Sequence, residues 1–222
     1  MTNTLAPLRA ARAVVFDLDG TLVDSLGDIM LHLNAALVER GFAARSRTEV
    51  GEWVGYGAEQ LVTRAVPQPE LVAEILARFR AHYRERPVVE TCVYPDLDRA
   101  LDSIAAGRTL AVLSNKPHEL TVSVVEALLG RWSFPVVAGQ RAGRPHKPDP
   151  AALLEIAAQL SIAPRDCVMV GDSEVDIATA RAAGVRSVGV SWGLRGLDVI
   201  TAAGPDFLVH APAELAALFE LA

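Results

Sequence analysis

A doubly wound α/β fold, a parallel sheet with a small helical domain inserted into it, is what three observations in this sequence predict. From about Cys92 onward, short apolar runs alternate with helical stretches. An earlier apolar run, Val14 to Phe16, stops abruptly at two carboxylates, Asp17 and Asp19. The next strand pattern arrives only at Thr109, so a long helical segment separates the first strand from its neighbours. The 222 residues exceed one average domain and fall short of two, as a single core with an elaboration requires.

Val14-Val15-Phe16 is β-branched and aromatic and reads as a buried strand. Strand alternation puts Asp17 and Asp19 near the same side, and Gly20-Thr21 then breaks the strand. Paired acids therefore stand where an open sheet feeds its first loop, the usual ligand position of α/β proteins. Asp19-Gly20 also suits a plain Asx-type turn. Beyond Asp24, Leu26, Ile29, Met30, Leu33, Leu37 and Val38 recur at helical spacing up to Arg40-Gly41. Further helical runs fall at Thr48 to Trp53, Ala58 to Ala65 and Glu70 to Arg86, divided by Gly55-Tyr56-Gly57 and Pro67-Gln68-Pro69. An insertion of this length reads as a cap over the site, giving a cap at 24–90 and a discontinuous core at 1–23 and 91–222. The Gly55-Tyr56-Gly57 turn could set the Tyr56 ring at the mouth of the site or pack it on the cap's own core.

The remainder is regular: helix Pro95 to Ala106, strand Thr109 to Leu113, helix Pro117 to Leu129, strand Pro135 to Ala138 and helix Asp149 to Leu160. Strand Cys167 to Val170, helix Glu174 to Ala183 and strands Ser187 to Val190 and Phe207 to Val209 follow. Such alternation implies a Rossmann-like parallel sheet covered on both faces. Right-handed crossovers gather the C-terminal strand ends on one edge, and three more polar clusters fall there. Ser114-Asn115-Lys116-Pro117 follows a strand, and its Ser also suits a helix N-cap. His146-Lys147-Pro148 precedes a helix and also suits a solvated loop; Arg141, Arg144 and His146 read as solvent-facing. In Gly171-Asp172-Ser173-Glu174-Val175-Asp176, two acids lie one helical turn apart, and Asp172 also suits an N-cap.

The string Phe16-Asp17-Leu18-Asp19-Gly20-Thr21-Leu22, with Ser114, Lys147-Pro148 and Gly171-Asp172 through Asp176 in that order, resembles the four signatures of the haloacid dehalogenase superfamily. The resemblance spans about residues 12 to 192. It comes nearest to the phosphoglycolate phosphatase subgroup through Trp53-Val54-Gly55-Tyr56-Gly57-Ala58, Val93-Tyr94-Pro95, Ser114-Asn115-Lys116-Pro117 and Gly189-Val190-Ser191-Trp192-Gly193. Asp96 departs from that pattern, which more often has Gly there. The resemblance implies a phosphomonoester hydrolase with a helical cap after the first signature. It implies Asp17 as nucleophile and Asp19 as general acid and base, with Ser114, Asn115 and Lys147 holding the phosphoryl group. Mg²⁺ is implied on Asp17, Asp172 and the backbone carbonyl of Asp19, with Asp176 in support. The favoured substrate is 2-phosphoglycolate. A sugar phosphate, an amino-sugar phosphate such as N-acetylmuramic acid 6-phosphate, or pyrophosphate is the rival, with phosphomutase activity further off. A receiver-type module is disfavoured because Asp17 lies on the first strand and a cap follows it, and dehalogenation because Asp19 supplies a second acid.

Composition narrows the partners. Half the chain is hydrophobic, net charge is −6, and no Lys/Arg block is dense enough to track a phosphate backbone, so nucleic acid is not an expected partner. No apolar run is long enough to span a bilayer. The apolar run after Arg12 meets Asp17 too soon for a secretory segment, and two cysteines, Cys92 and Cys167, make no disulfide framework, so a cytoplasmic location is expected. A small phosphorylated metabolite is the expected partner of a monomer or homodimer.

Overall fold

The computed structural model describes residues 6–220; the outermost parts of the expected core, 1–5 and 221–222, lie outside the described residues. A short helix α1 (Ala6–Arg9) leads into strand β1 (Ala13–Phe16), and a two-residue strand β2 (Val23–Asp24) opens the inserted segment. That segment holds helices α2 (Leu26–Glu39), α3 (Arg47–Trp53), α4 (Ala58–Ala65) and α5 (Val72–Glu85), and strand β3 (Cys92–Val93) closes it. Then come α6 (Leu97–Ala105), β4 (Thr109–Pro117), α7 (His118–Leu129), β5 (Val136–Gln140), α8 (Ala151–Gln159) and β6 (Cys167–Gly171). The chain continues through α9 (Glu174–Ala183), β7 (Arg186–Val190), α10 (Leu197–Ala203), β8 (Phe207–Val209) and α11 (Pro212–Phe219).

Six strands form a sheet in the order β5-β4-β1-β6-β7-β8, every neighbouring pair parallel. Strand alternation explains how it buries both faces. Val14 and Phe16 of β1 join Leu110, Val112, Val168 and Val170 in a cluster with α6 and α11, while Ala13 and Val15 join Ala111, Leu113 and Met169 in a second cluster with α8 and α9. Each buried Leu or Val contributes roughly 1.5–3 kcal/mol relative to exposure, so neither face can be shed. β1 lies between β4 and β6, with Phe16 opposite both Val112 and Val170. The connections diverge at that point, leaving a crevice beyond the C-terminal ends of these three strands.

The inserted helices bury a third cluster of their own, including Leu33, Leu37, Val62, Ile75, Phe79 and Tyr83, which Leu120 of α7 completes from the core side. The expected α2 stripe ends at Leu37, because Val38 is 59% exposed. β2 and β3 pair antiparallel, Val23 with Val93 and Asp24 with Cys92, so both crossings into the cap run through one ribbon. At that neck Asp96, where the resemblance favours Gly, takes φ 63, a left-handed conformation that Asp tolerates better than most residues. Several helix starts lie within two residues of expectation, but β4 runs on to Pro117 where a strand to Leu113 was expected. No helix among the described residues is long and apolar enough to cross a membrane.

The neck is tied by a buried acid. Asp28, in the first turn of α2, accepts backbone N–H groups of Val89 (2.9 Å), Glu90 (2.8 Å) and Thr91 (3.0 Å). Burial pushes its carboxyl up, but hydrogen bonds from Thr91, Val89 and Glu90 outweigh this and hold it below the ordinary carboxylate value. A depressed pKa stabilises the fold above the unfolded value near 4 and loses that contribution as pH falls through the folded value. Asp28→Ala should therefore lower unfolding free energy by about 2–3 kcal/mol at neutral pH. Urea titrations should find that gap narrowing below about pH 4 as the wild-type carboxyl is protonated; a gap independent of pH would show that the charge is not what holds the neck.

Candidate active site

Asp17 directly follows β1 and Asp172 directly follows β6, so the strand register alone brings their carboxylates to the same crevice. Asp17, Asp172 and Asp176 are buried, and an oxygen from each lies within 4.8 Å of the others. The Lys147 ammonium enters this group at 2.8 Å from Asp17 Oδ1 and 2.6 Å from Asp176 Oδ1. Three carboxylates around one ammonium leave a formal excess of two negative charges, and such crowding is relieved only by protons or a cation. Burial, then repulsion from Asp176, pushes Asp172 up to about 6. Burial also raises Asp17 well above the carboxylate range against the pull of Lys147, with Asp176 and Asp172 adding to the rise. Burial works against the charge on Lys147, but Asp17 and Asp176 outweigh it and raise its pKa.

The open alternatives for these residues separate cleanly. Ser173, not Asp172, caps α9: its hydroxyl accepts from the Asp176 N–H, and Asp176 Oδ2 accepts from the Ser173 N–H at 3.1 Å. Asp176 thus spends one oxygen on the helix and the other on Lys147. Asp172 instead accepts from the Leu194 N–H (2.7 Å) and the Thr21 hydroxyl (3.2 Å). Gly20, at φ 90, lies so close that a Cβ there would sit 2.3 Å from Asp172 Oδ2, so the first loop admits only glycine beside that acid. Lys147 is only 5% exposed, which removes the solvated-loop reading. Arg141 and Arg144 are exposed as expected, whereas His146 is half-buried and faces Gly57 of the cap.

Asp19 turns away from the carboxylate cluster. Its Oδ1 accepts from the Ser25 hydroxyl (2.6 Å) and from the Lys116 ammonium (3.0 Å). Its carboxylate therefore cannot join the Asp17 group, and its backbone carbonyl remains the atom that the resemblance assigns to a metal. Ser114 is no N-cap, since α7 begins at His118, and its oxygen accepts from the Lys116 N–H at 3.2 Å. Asn115 has a task other than the expected one. Its Oδ1 accepts from the Lys147 N–H (2.9 Å), and its Nδ2 donates to the carbonyls of Lys147 (3.0 Å) and Gly55 (2.9 Å). With both amide hydrogens engaged, the Asn115 side chain fixes the Lys147 loop and the cap loop, and only its backbone N–H is left to serve a phosphoryl oxygen.

Asp17, Asp19, Ser114 and Lys116 line one cavity of about 50 Å³ with cap residues Ile29, Leu61, Phe79 and Tyr83. Sequence reasoning assigned no role to Lys116 or Tyr83. A lysine quoted inside the Ser-Asn-Lys-Pro motif, on a strand continuation buried throughout, was the available signal for the first. Tyr56 neither lines this cavity nor packs in the cap interior. Its hydroxyl donates to Glu174 at the start of α9, and its ring lies between the guanidinium groups of Arg64 (4.8 Å) and Arg195 (5.1 Å). Arg195 also donates to the Glu52 carbonyl at 2.6 Å, so this seam joins cap to core outside the cavity.

A carboxylate beside a buried ammonium, a second carboxylate on the neighbouring cavity and a cluster of three buried acids stand at the C-terminal edge of a capped α/β fold. A family model described as haloacid dehalogenase-like hydrolase matches residues 14–190. The chain belongs to that family. It is 34% identical over 210 residues to a phosphoglycolate phosphatase of Colwellia psychrerythraea, covering 90% of this chain and 93% of the relative. It is 32% identical to one of Aquifex aeolicus, with 94% and 97% covered. The crystal structure of a predicted phosphoglycolate phosphatase from Haemophilus somnus superposes with a TM-score of 0.88 at 28% identity, over 95% of this chain and 99% of that one.

Placement of Tyr56 at the seam leads to a definite expectation. Tyr56→Phe removes the bond to Glu174 and keeps the stacked ring, so kcat/KM should fall by a similar factor, several-fold, for every phosphate ester tried. A change in the ranking of substrates would mean that the ring reaches the cavity after all.

Proposed function

We propose that the protein is a Mg²⁺-dependent phosphoglycolate phosphatase, converting 2-phosphoglycolate and water to glycolate and phosphate through an aspartyl-phosphate. The observation that carries the reading is the division of labour between two acids on one cavity: Asp17 held by Lys147, Asp19 held by Ser25 and Lys116. The names of the curated relatives supply the substrate.

The donor set fits a hard divalent cation: oxygen atoms alone, with a formal excess of two negative charges. Asp17, Asp172 and the Asp19 carbonyl would hold it, with Asp176 in support. When bound it supplies charge neutralisation and polarisation of a phosphoryl oxygen.

The chain's own groups account for the rest. An Asp17 oxygen attacks phosphorus in line with the ester oxygen. Asp19 gives its proton to the departing glycolate oxygen and then takes one from the water that attacks the aspartyl-phosphate. Phosphate leaves, and both acids return to their starting states. The Ser114 hydroxyl donates to a phosphoryl oxygen, and the Lys147 ammonium offsets charge on Asp17 and on the transferring group. The apolar cap wall of Ile29, Leu61 and Phe79 excludes bulk water.

Phosphate release from a panel of small esters, with and without Mg²⁺, tests the reading. 2-Phosphoglycolate should give the highest kcat/KM, chelation by EDTA should silence the enzyme, and added Mg²⁺ should restore it. Asp17→Asn should be inactive, and Asp19→Asn should keep substrate binding while losing on the order of 10²-fold or more in kcat. Turnover that survives exhaustive chelation, or a hexose phosphate or pyrophosphate at the head of the panel, would overturn it.

A further inference from the structure

The Lys116 ammonium is buried and contacts two groups: the Asp19 carboxylate, at 3.0 Å from Oδ1 and 3.4 Å from Oδ2, and the Tyr83 hydroxyl oxygen at 2.8 Å. An ammonium has three hydrogens; with the two Asp19 oxygens sharing one of them and Tyr83 taking another, one is left for the cavity that Lys116 lines. Tyr83 accepts from Lys116, and among the described residues no acceptor takes its own hydroxyl proton. The ring is held for this purpose by His32 at 4.7 Å and Phe79 at 5.7 Å between centroids. Two donors thus converge beside Asp19, in a cavity whose cap side also presents the apolar Ile29, Leu61 and Phe79. Lys116 also holds Asp19, whereas the phosphoryl-transfer steps give Tyr83 no part.

We infer that Lys116 and Tyr83 form the subsite for the substrate's carboxylate, and so select short phosphorylated 2-hydroxy acids over neutral phosphate esters. This rests on the phosphoglycolate reading. Geometry sets the chain length. Asp19 must touch the ester oxygen to protonate it, and Lys116 touches Asp19, so a group recognised by Lys116 lies beside the acid that serves that oxygen, within the reach of a short leaving group. In 2-phosphoglycolate a single methylene joins the ester oxygen to the carboxylate. A longer acid carries its carboxylate past the ammonium into the apolar wall, where an unpaired charge is strongly disfavoured. Tyr83 comes from α5 and Lys116 from the core, so the subsite is complete only when the cap is seated, and the right acid favours closure.

The test compares kcat/KM for 2-phosphoglycolate with that for ethyl phosphate, which keeps the two-carbon leaving group and lacks the carboxylate. Wild type should prefer 2-phosphoglycolate. Lys116→Met also loosens Asp19, so kcat/KM should fall for both substrates, but the preference between them should drop by about 10- to 100-fold, the range of one lost charge-assisted hydrogen bond. Tyr83→Phe keeps the ring packing and should erode the same preference several-fold, and it decides the matter if Lys116→Met does not fold. A preferring wild type whose variants lose both substrates equally overturns the subsite and leaves Lys116 as a positioning residue for Asp19. A wild type with no preference for 2-phosphoglycolate overturns the functional reading, and the subsite with it.

Discussion

Three carboxylates crowd around one buried lysine at the C-terminal edge of this sheet, Asp17 and Asp176 paired with it, and the rest of the structure follows from keeping that arrangement intact. Charges so close, removed from water, raise one another's proton affinity and would push the loops apart if left alone. The fold answers with fixed partners: Asn115 holds the Lys147 loop by its backbone, Ser173 holds Asp176, and Leu194 and Thr21 hold Asp172. The glycines at 20 and 171 lie where any side chain would collide with Asp172 or Asp176, so the backbone itself is shaped around the acids. β1 and its two neighbours, buried on both faces, give these loops a fixed base.

The cap completes this centre. Its helices bury an apolar cluster that Leu120 of α7 completes, and specific polar contacts with the core surround it: Gly55 with Asn115, Tyr83 with Lys116, Tyr56 with Glu174, and Arg84 with Glu119. Both crossings run through the short β2–β3 ribbon. A cap joined in this way can lift to admit substrate and reseat to exclude water.

Much of this was legible from residue order. Asp17 and Asp172 stand just beyond strand ends, Ser114 and Asn115 lie in the last residues of β4, Asp176 opens α9 and Lys147 leads the loop into α8, so local patterning placed them all on one edge. Asn115 was legible as a site residue but not as a clamp, because its partners are carbonyls of residues 55 and 147, far apart in the chain. Lys116 and Tyr83 meet across 33 positions, one on a strand extension and the other on a cap helix, and no periodicity links them. Two-residue strands such as β2 and β3 carry too little pattern to detect, whereas α11 had a visible signal in its leading Pro212 and its Leu215 to Phe219 spacing.

The account depends most on Asp17 being the atom donor that takes the phosphoryl group. Acid quenching during turnover, followed by borohydride reduction, converts an aspartyl-phosphate to homoserine, and peptide mass spectrometry locates it. Homoserine at position 17, formed only when both 2-phosphoglycolate and Mg²⁺ are present, is the predicted result. Homoserine at position 19 or 172, or none under conditions of rapid turnover, would contradict it.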